Sequence, residues 1–119
     1  MKLWRLNTES FPETGRHRAW RDAMNRLCLP VGELPPDLGF RGSVSCRESP
    51  LGIEFAVVDA SPHEISGKYM EQPAAMWLVL LLQGRAQLIH DGRCVELERD
   101  DIAYGPCRTE ATLRFPTDF

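Results

Sequence analysis

Residues 82–104 read L-Q-G-R-A-Q-L-I-H-D-G-R-C-V-E-L-E-R-D-D-I-A-Y. Asp91-Gly92 predicts a type I′ turn, because both central residues of that turn take positive φ and its twist matches that of the flanking strands. A tip at that position pairs His90 with Arg93, Ile89 with Cys94, Leu88 with Val95, Gln87 with Glu96, Ala86 with Leu97 and Arg85 with Glu98. Ala86, Leu88, Val95 and Leu97 then share one face, and Arg85, Gln87, Glu96 and Glu98 share the other. A slip of one residue would scramble both sets. Met76 to Tyr104 is therefore read as a β-hairpin, with Arg85–Glu98 as an exposed cross-strand pair worth at most about 1 kcal/mol.

Outward from the hairpin, Trp77 to Leu82 is apolar at every position, the pattern of a strand covered on both faces. Asp100-Asp101 falls between two strands and predicts a turn. Ile102 and Tyr104 keep the strand period, and Ala111, Leu113 and Phe115 share one side of a last strand. Towards the N-terminus, Phe40, Gly42, Val44 and Cys46 alternate with Arg41, Ser43, Ser45 and Arg47. Ser49-Pro50-Leu51-Gly52 predicts a turn into a returning strand with Ile53, Phe55 and Val57 on one side. His63, Ile65 and Gly67 suit a further short strand, and Lys68 to Gln72 a connection.

One segment reads as helix. Trp20, Ala23, Met24 and Leu27 recur at three- and four-residue spacing, with Arg21, Asp22 and Asn25 opposite. Ser10-Phe11-Pro12-Glu13 has the form of a capping box before it, and Pro30 and Gly32 end it. Glu33 to Gly39 is a loop by its proline and glycine content. One helix followed by about seven short strands predicts a mostly β domain, a small barrel or sandwich.

The 119 residues, 43% hydrophobic and 26% charged, suit a single soluble domain. A net charge of −3 argues against nucleic acid as a partner, since phosphate binding needs a concentrated positive face. No apolar run reaches the roughly 20 residues of a membrane helix, and the N-terminus lacks a signal peptide pattern, so a cytoplasmic location with no membrane contact is expected. Cys28, Cys46, Cys94 and Cys107 form no C-x-x-C or Cys/His spacing and read as free thiols. His17, His63 and His90 show no metal-ligand spacing, and no phosphate loop or nucleophile signature occurs, so neither a metal nor another cofactor is expected. These absences favour a binding module over an enzyme.

The hairpin also offers a candidate site. His90 and Arg93 end its apolar face and would stand as polar groups at a pocket mouth. There they would hydrogen-bond an acidic or hydroxylated ligand whose apolar body lies among Leu88, Val95, Trp77 and Tyr104. A rim position beside the turn, and core packing for the two aromatic residues, are the plain alternatives.

The string from Leu82 to Tyr104 resembles the cupin-like N-terminal domain of AraC/XylS-type bacterial transcription regulators. Gly84, Asp91-Gly92-Arg93, Leu97 and Asp101 stand at the places of that family's strand-ending Gly, D-G-R turn and L-x-P-G-D motif, with Arg99-Asp100 replacing Pro-Gly. Trp20, Phe40-Arg41-Gly42 and Ser61-Pro62-His63 extend the likeness over about residues 11–115. It implies a cupin-like (jelly-roll type) barrel or sandwich that binds a small organic effector and is able to form a homodimer. Residues 1–10 would be an N-terminal arm, with Trp4 as an anchor, preceding a sensing domain over 11–119. DNA would be contacted only through a C-terminal helix-turn-helix region absent from these residues, so the chain reads as a truncated regulator. The rival readings are a small cupin-type enzyme, weakened by the missing histidine pattern, and an interaction domain whose pocket is filled by its own side chains.

Overall fold

A computed structural model of the chain describes residues 3–36, 39–67, 76–106 and 110–119. In chain order the elements are β1 (Leu3–Asn7), 3₁₀ turns at Thr8–Ser10 and Glu13–Gly15, α1 (Arg16–Arg26), β2 (Gly42–Glu48), β3 (Glu54–Ala60), β4 (Glu64–Ser66), β5 (Met76–Leu80), β6 (Ala86–His90), β7 (Arg93–Leu97), β8 (Ile102–Pro106) and β9 (Ala111–Arg114). The strands form three small sheets, ordered β1-β2-β3, β4-β9-β6-β7 and β5-β8. The result is a mostly β, sandwich-like domain with one N-terminal helix; among the described residues the sheets do not close into a barrel.

The amphipathic reading of the helix holds. Ala19, Trp20, Ala23 and Met24 are buried, while Arg21, Asp22 and Asn25 face out. Its start is later than the capping-box pattern implies. Ser10 ends the first 3₁₀ turn, which is capped by the Asn7 side chain accepting from the Glu9 N–H, and Gly15 at the head of α1 makes no side-chain cap. Consecutive 3₁₀ turns leave Ser10 and Glu13 in different local structures, so the reciprocal bonds of a capping box do not form. Cys28, at φ +59°, turns the chain away after the last helical turn, well before Pro30.

Leu3–Asn7, expected as an arm, is the edge strand β1, paired to β2 with Leu6 opposite Val44 and Trp4 opposite Cys46. The Arg26 guanidinium lies 4.5 Å from the centre of the Trp4 ring, so Trp4 ties β1 to α1 by a cation–π contact. At the end of β1, Thr8 is fully buried and its hydroxyl accepts the Gly42 N–H at 2.9 Å. Residues 42, 44 and 46 form the buried face of β2, as their alternation predicts. In β3, opposite Val44 and Gly42, the residues on that face are Val58 and Ala60. Phe55 and Val57 therefore fall on the outer face and are more than half exposed.

The Asp91-Gly92 tip has the expected left-handed backbone, φ +50° and +71°, and the five pairs from His90↔Arg93 to Ala86↔Leu97 form in the expected register. Arg85 and Glu98 lie beyond the paired strands. Further out the same hairpin continues as β5 and β8, from Leu80↔Ile102 to Met76↔Pro106. Residues 81–85 on the first arm face only 98–101 on the second, so the first arm carries an extra residue, as in a bulge. Gly84, at φ +83°, sits in that insert against the backbone of Asp118.

The extra residue reverses the facing of the first arm. In β6 the even residues Ala86 and Leu88 pack inward, whereas in β5 Trp77 and Val79 are the half-buried ones. Met76, Leu78 and Leu80, with Ile102 and Tyr104 across from them, are exposed. The expectation of a strand covered on both faces is thus corrected: β5 is covered on one. The core lies where α1, β2, β6, β7 and β9 converge, and contains Trp20, Met24, Phe40, Val44, Ala86, Leu97, Phe115 and Phe119.

Candidate functional site

β6 and β9 are neighbours, so the inward face of the hairpin runs across Leu88↔Leu113 and His90↔Ala111 to Ile65 on β4. Leu88 and Val95 are direct cross-strand partners on that face, followed towards the tip by His90 and Arg93. Leu88 packs on the core and Val95 is half exposed. The face thus passes from packed apolar residues to a partly solvated end carrying an imidazole and a guanidinium. His90 is half-buried, and its Nδ1 lies 3.9 Å from Asp91 Oδ2.

The structure brings together four of the six residues expected at the site: Leu88, His90, Arg93 and Val95. Trp77 belongs to the separate β5-β8 sheet, where its indole covers Gly105: a Cβ there would lie 2.8 Å from the ring. Tyr104 pairs with Leu78 and projects from the opposite face of that sheet, largely exposed. Trp77 and Tyr104 are not on a common face.

A second polar centre, which the spacing of residues in the chain does not display, lies in the core. Trp20 Nε1–H donates to His63 Nε2 at 3.0 Å, and His63 Nδ1 donates to the Ser61 carbonyl at 2.7 Å. Both side chains are buried, with Phe40 edge-on and Phe119 tilted against the imidazole at 6.0 and 5.5 Å between ring centres. Accepting from an indole requires a lone pair on Nε2, so the ring is held as the neutral Nδ1–H tautomer. Burial lowers its pKa, and the Arg21 charge acts in the same direction against the Ser61 carbonyl bond. With both nitrogens engaged, His63 is a structural joint between α1 and the start of β4.

Cys28, Cys46 and Cys94 are free thiols, and Cys107 falls outside the described residues. Burial pushes the Cys46 thiol up, reinforced by Glu54, whose Oε1 lies 3.6 Å from its Sγ; a thiol held protonated is a poor nucleophile. Among the described residues no three His, Cys, Asp or Glu side chains gather as metal ligands. Among the described residues no helix is long and apolar enough to cross a membrane.

No protein-family model and no curated protein matches the sequence. Among solved structures, the fold matches the crystal structure of the AraC-like transcriptional activator CuxR, with a TM-score of 0.75 and 17% sequence identity. The match covers 98% of this chain and 44% of that one, so the chain spans less than half the length of the protein it resembles. At this identity the likeness is one of fold: nearly the whole chain has the architecture of part of an AraC-like activator.

Proposed function

We propose that this chain is the ligand-sensing part of an AraC-type transcription regulator, binding a small organic effector and having no catalytic activity. The supporting observation is the fold match over 98% of the chain to part of an AraC-like activator. The composition agrees: a net charge of −3 suits a domain that leaves DNA to another region of the regulator. The pocket mouth on this reading is the tip end of the β6-β7 face, where His90 and Arg93 present hydrogen-bond donors beside Leu88 and Val95.

Effector binding there acts on a preexisting equilibrium between two states of the regulator, by the difference in affinity for each. Homodimers are the natural setting for that readout. A thermal-shift screen against aromatic acids, sugars and amines tests the reading, since a ligand of the folded state raises Tm with concentration. A saturable rise with one compound class supports it. A panel without effect, together with a stoichiometric transition metal in the purified protein, would point to a small cupin-type enzyme instead.

A further inference from the structure

The outer face of the β1-β2-β3 sheet combines charge and apolar surface in a way that the core does not require. The register sets Leu3, Arg47 and Phe55 in one cross-strand row, and Arg5, Ser45 and Val57 in the next. These six residues line an open concavity of about 420 Å³. Leu3, Phe55 and Val57 are each more than half exposed, and Ser45 is half-buried between the two arginines.

Arg5 and Arg47 are diagonal neighbours on adjacent strands, a relationship that sets residues roughly 7–8 Å apart. Neither has an ion-pair partner among the described residues, whereas Arg41 reaches Asp59 and Asp118 and Arg114 reaches Glu64. Two like charges side by side on a sheet repel, and an anion placed between them removes that cost. The arginine fork suits a planar carboxylate or a phosphate, and the Ser45 hydroxyl adds a donor at the floor. Phe55, Val57 and Leu3 would cover an apolar body attached to the anion. The next row, Asn7, Ser43 and Asp59, adds no cation, and Arg41 beside it is already paired with Asp59 and Asp118, so the unpaired positive area is too short for a nucleic-acid backbone and fits a single anionic group.

From this we infer that the outer face of the β1-β2-β3 sheet is a binding site for a small organic anion, a carboxylate or phosphate monoester with an apolar body, held by Arg5, Arg47 and Ser45. The site is separate from the hairpin end and does not depend on the regulator reading.

The test is an NMR titration of the 119-residue chain with benzoate, phenylphosphate and, as an uncharged counterpart, benzyl alcohol. Saturable shifts at Arg5, Ser45, Arg47 and Val57 are expected with the two anions, and the tighter of them identifies the anionic group. Benzyl alcohol binds at least about tenfold more weakly, and Arg5→Gln and Arg47→Gln each weaken the tighter anion by about tenfold, the size of one lost charge-assisted hydrogen bond. Equal binding of benzyl alcohol, or unchanged affinity in both variants, would overturn the inference. So would shifts centred on residues 88–95, or no saturable response up to about 10 mM of either anion, beyond the weak end of specific binding. Concentration-dependent broadening of the same residues without ligand would make the face a contact between copies and would also overturn it.

Discussion

Trp20 and His63, 43 residues apart in the chain, share a buried N–H···N hydrogen bond of 3.0 Å that joins the only α-helix among the described residues to the sheet beyond it. The bond exists only while His63 is neutral, because a proton on Nε2 would face the indole N–H. Burial in an aromatic cage opposes that proton as well.

The first prediction is a pH dependence of stability. His63 titrates lower in the folded chain than in the unfolded one, whose value is about 6.5. As pH falls through that value the unfolded chain takes up the proton first, so the contribution is complete above about pH 7 and is lost progressively at lower pH. Urea unfolding between about pH 7.5 and 5 should show the decline. His63→Gln, which retains an amide for the indole and does not titrate, should flatten it. An equal slope in the variant contradicts this role for His63.

The same joint predicts intolerance at Gly42. A Cβ there would lie 2.8 Å from the Trp20 ring carbons, with the ring held on its other sides by Phe40 and His63. Gly42→Ala should cost about 1–3 kcal/mol by overpacking. Trp20→Phe should cost about 2–4 kcal/mol, combining lost volume with an imidazole nitrogen left without its donor. Denaturant midpoints at constant m-value measure both.

Two hairpin glycines separate backbone strain from crowding. Gly92 and Gly84 both have positive φ, but space is open around Gly92 while Gly84 abuts the Asp118 carbonyl. Gly92→Ala should cost about 1 kcal/mol, and Gly84→Ala more than about 2 kcal/mol, since strain and a backbone clash add. Asp91→Asn, compatible with the same turn, should stay within about 0.5 kcal/mol. Equal losses at the two glycines would contradict the packing at Gly84.

The inner hairpin was legible because its signals are local. A turn with one demanding geometry and a face pattern that tolerates no slip specify five cross-strand pairs. The Asp100 turn was legible for the same reason: Asp100 adopts φ +74°, and the Asp101 carboxylate accepts the Glu98 N–H at 2.7 Å. The outer hairpin forms as read, but the facing of β5 was not legible, because one extra residue between Leu80 and Ala86 inverts it. An unbroken apolar run such as Trp77–Leu82 has no alternation to record that inversion. Trp77 and Tyr104, expected around one ligand, lie on opposite faces of the β5-β8 pair.

The Trp20–His63 joint and the Arg5–Arg47 concavity depend on pairings between distant segments. Composition and period carry no trace of those pairings. β1 shows the same limit: its short alternation became meaningful only once β2 lay beside it. The Lys68 to Gln72 connection falls outside the described residues.

The central claim is tested most directly by isothermal titration of the strongest compound from the thermal-shift screen into the wild-type chain and His90→Ala/Arg93→Ala. The account predicts saturable binding of a small organic molecule at the hairpin end of the wild type and an affinity for it at least about tenfold lower in the double variant, from the loss of two polar contacts. Unchanged affinity in the double variant would contradict the hairpin-end site, and no saturable binding to the wild type would contradict ligand sensing itself.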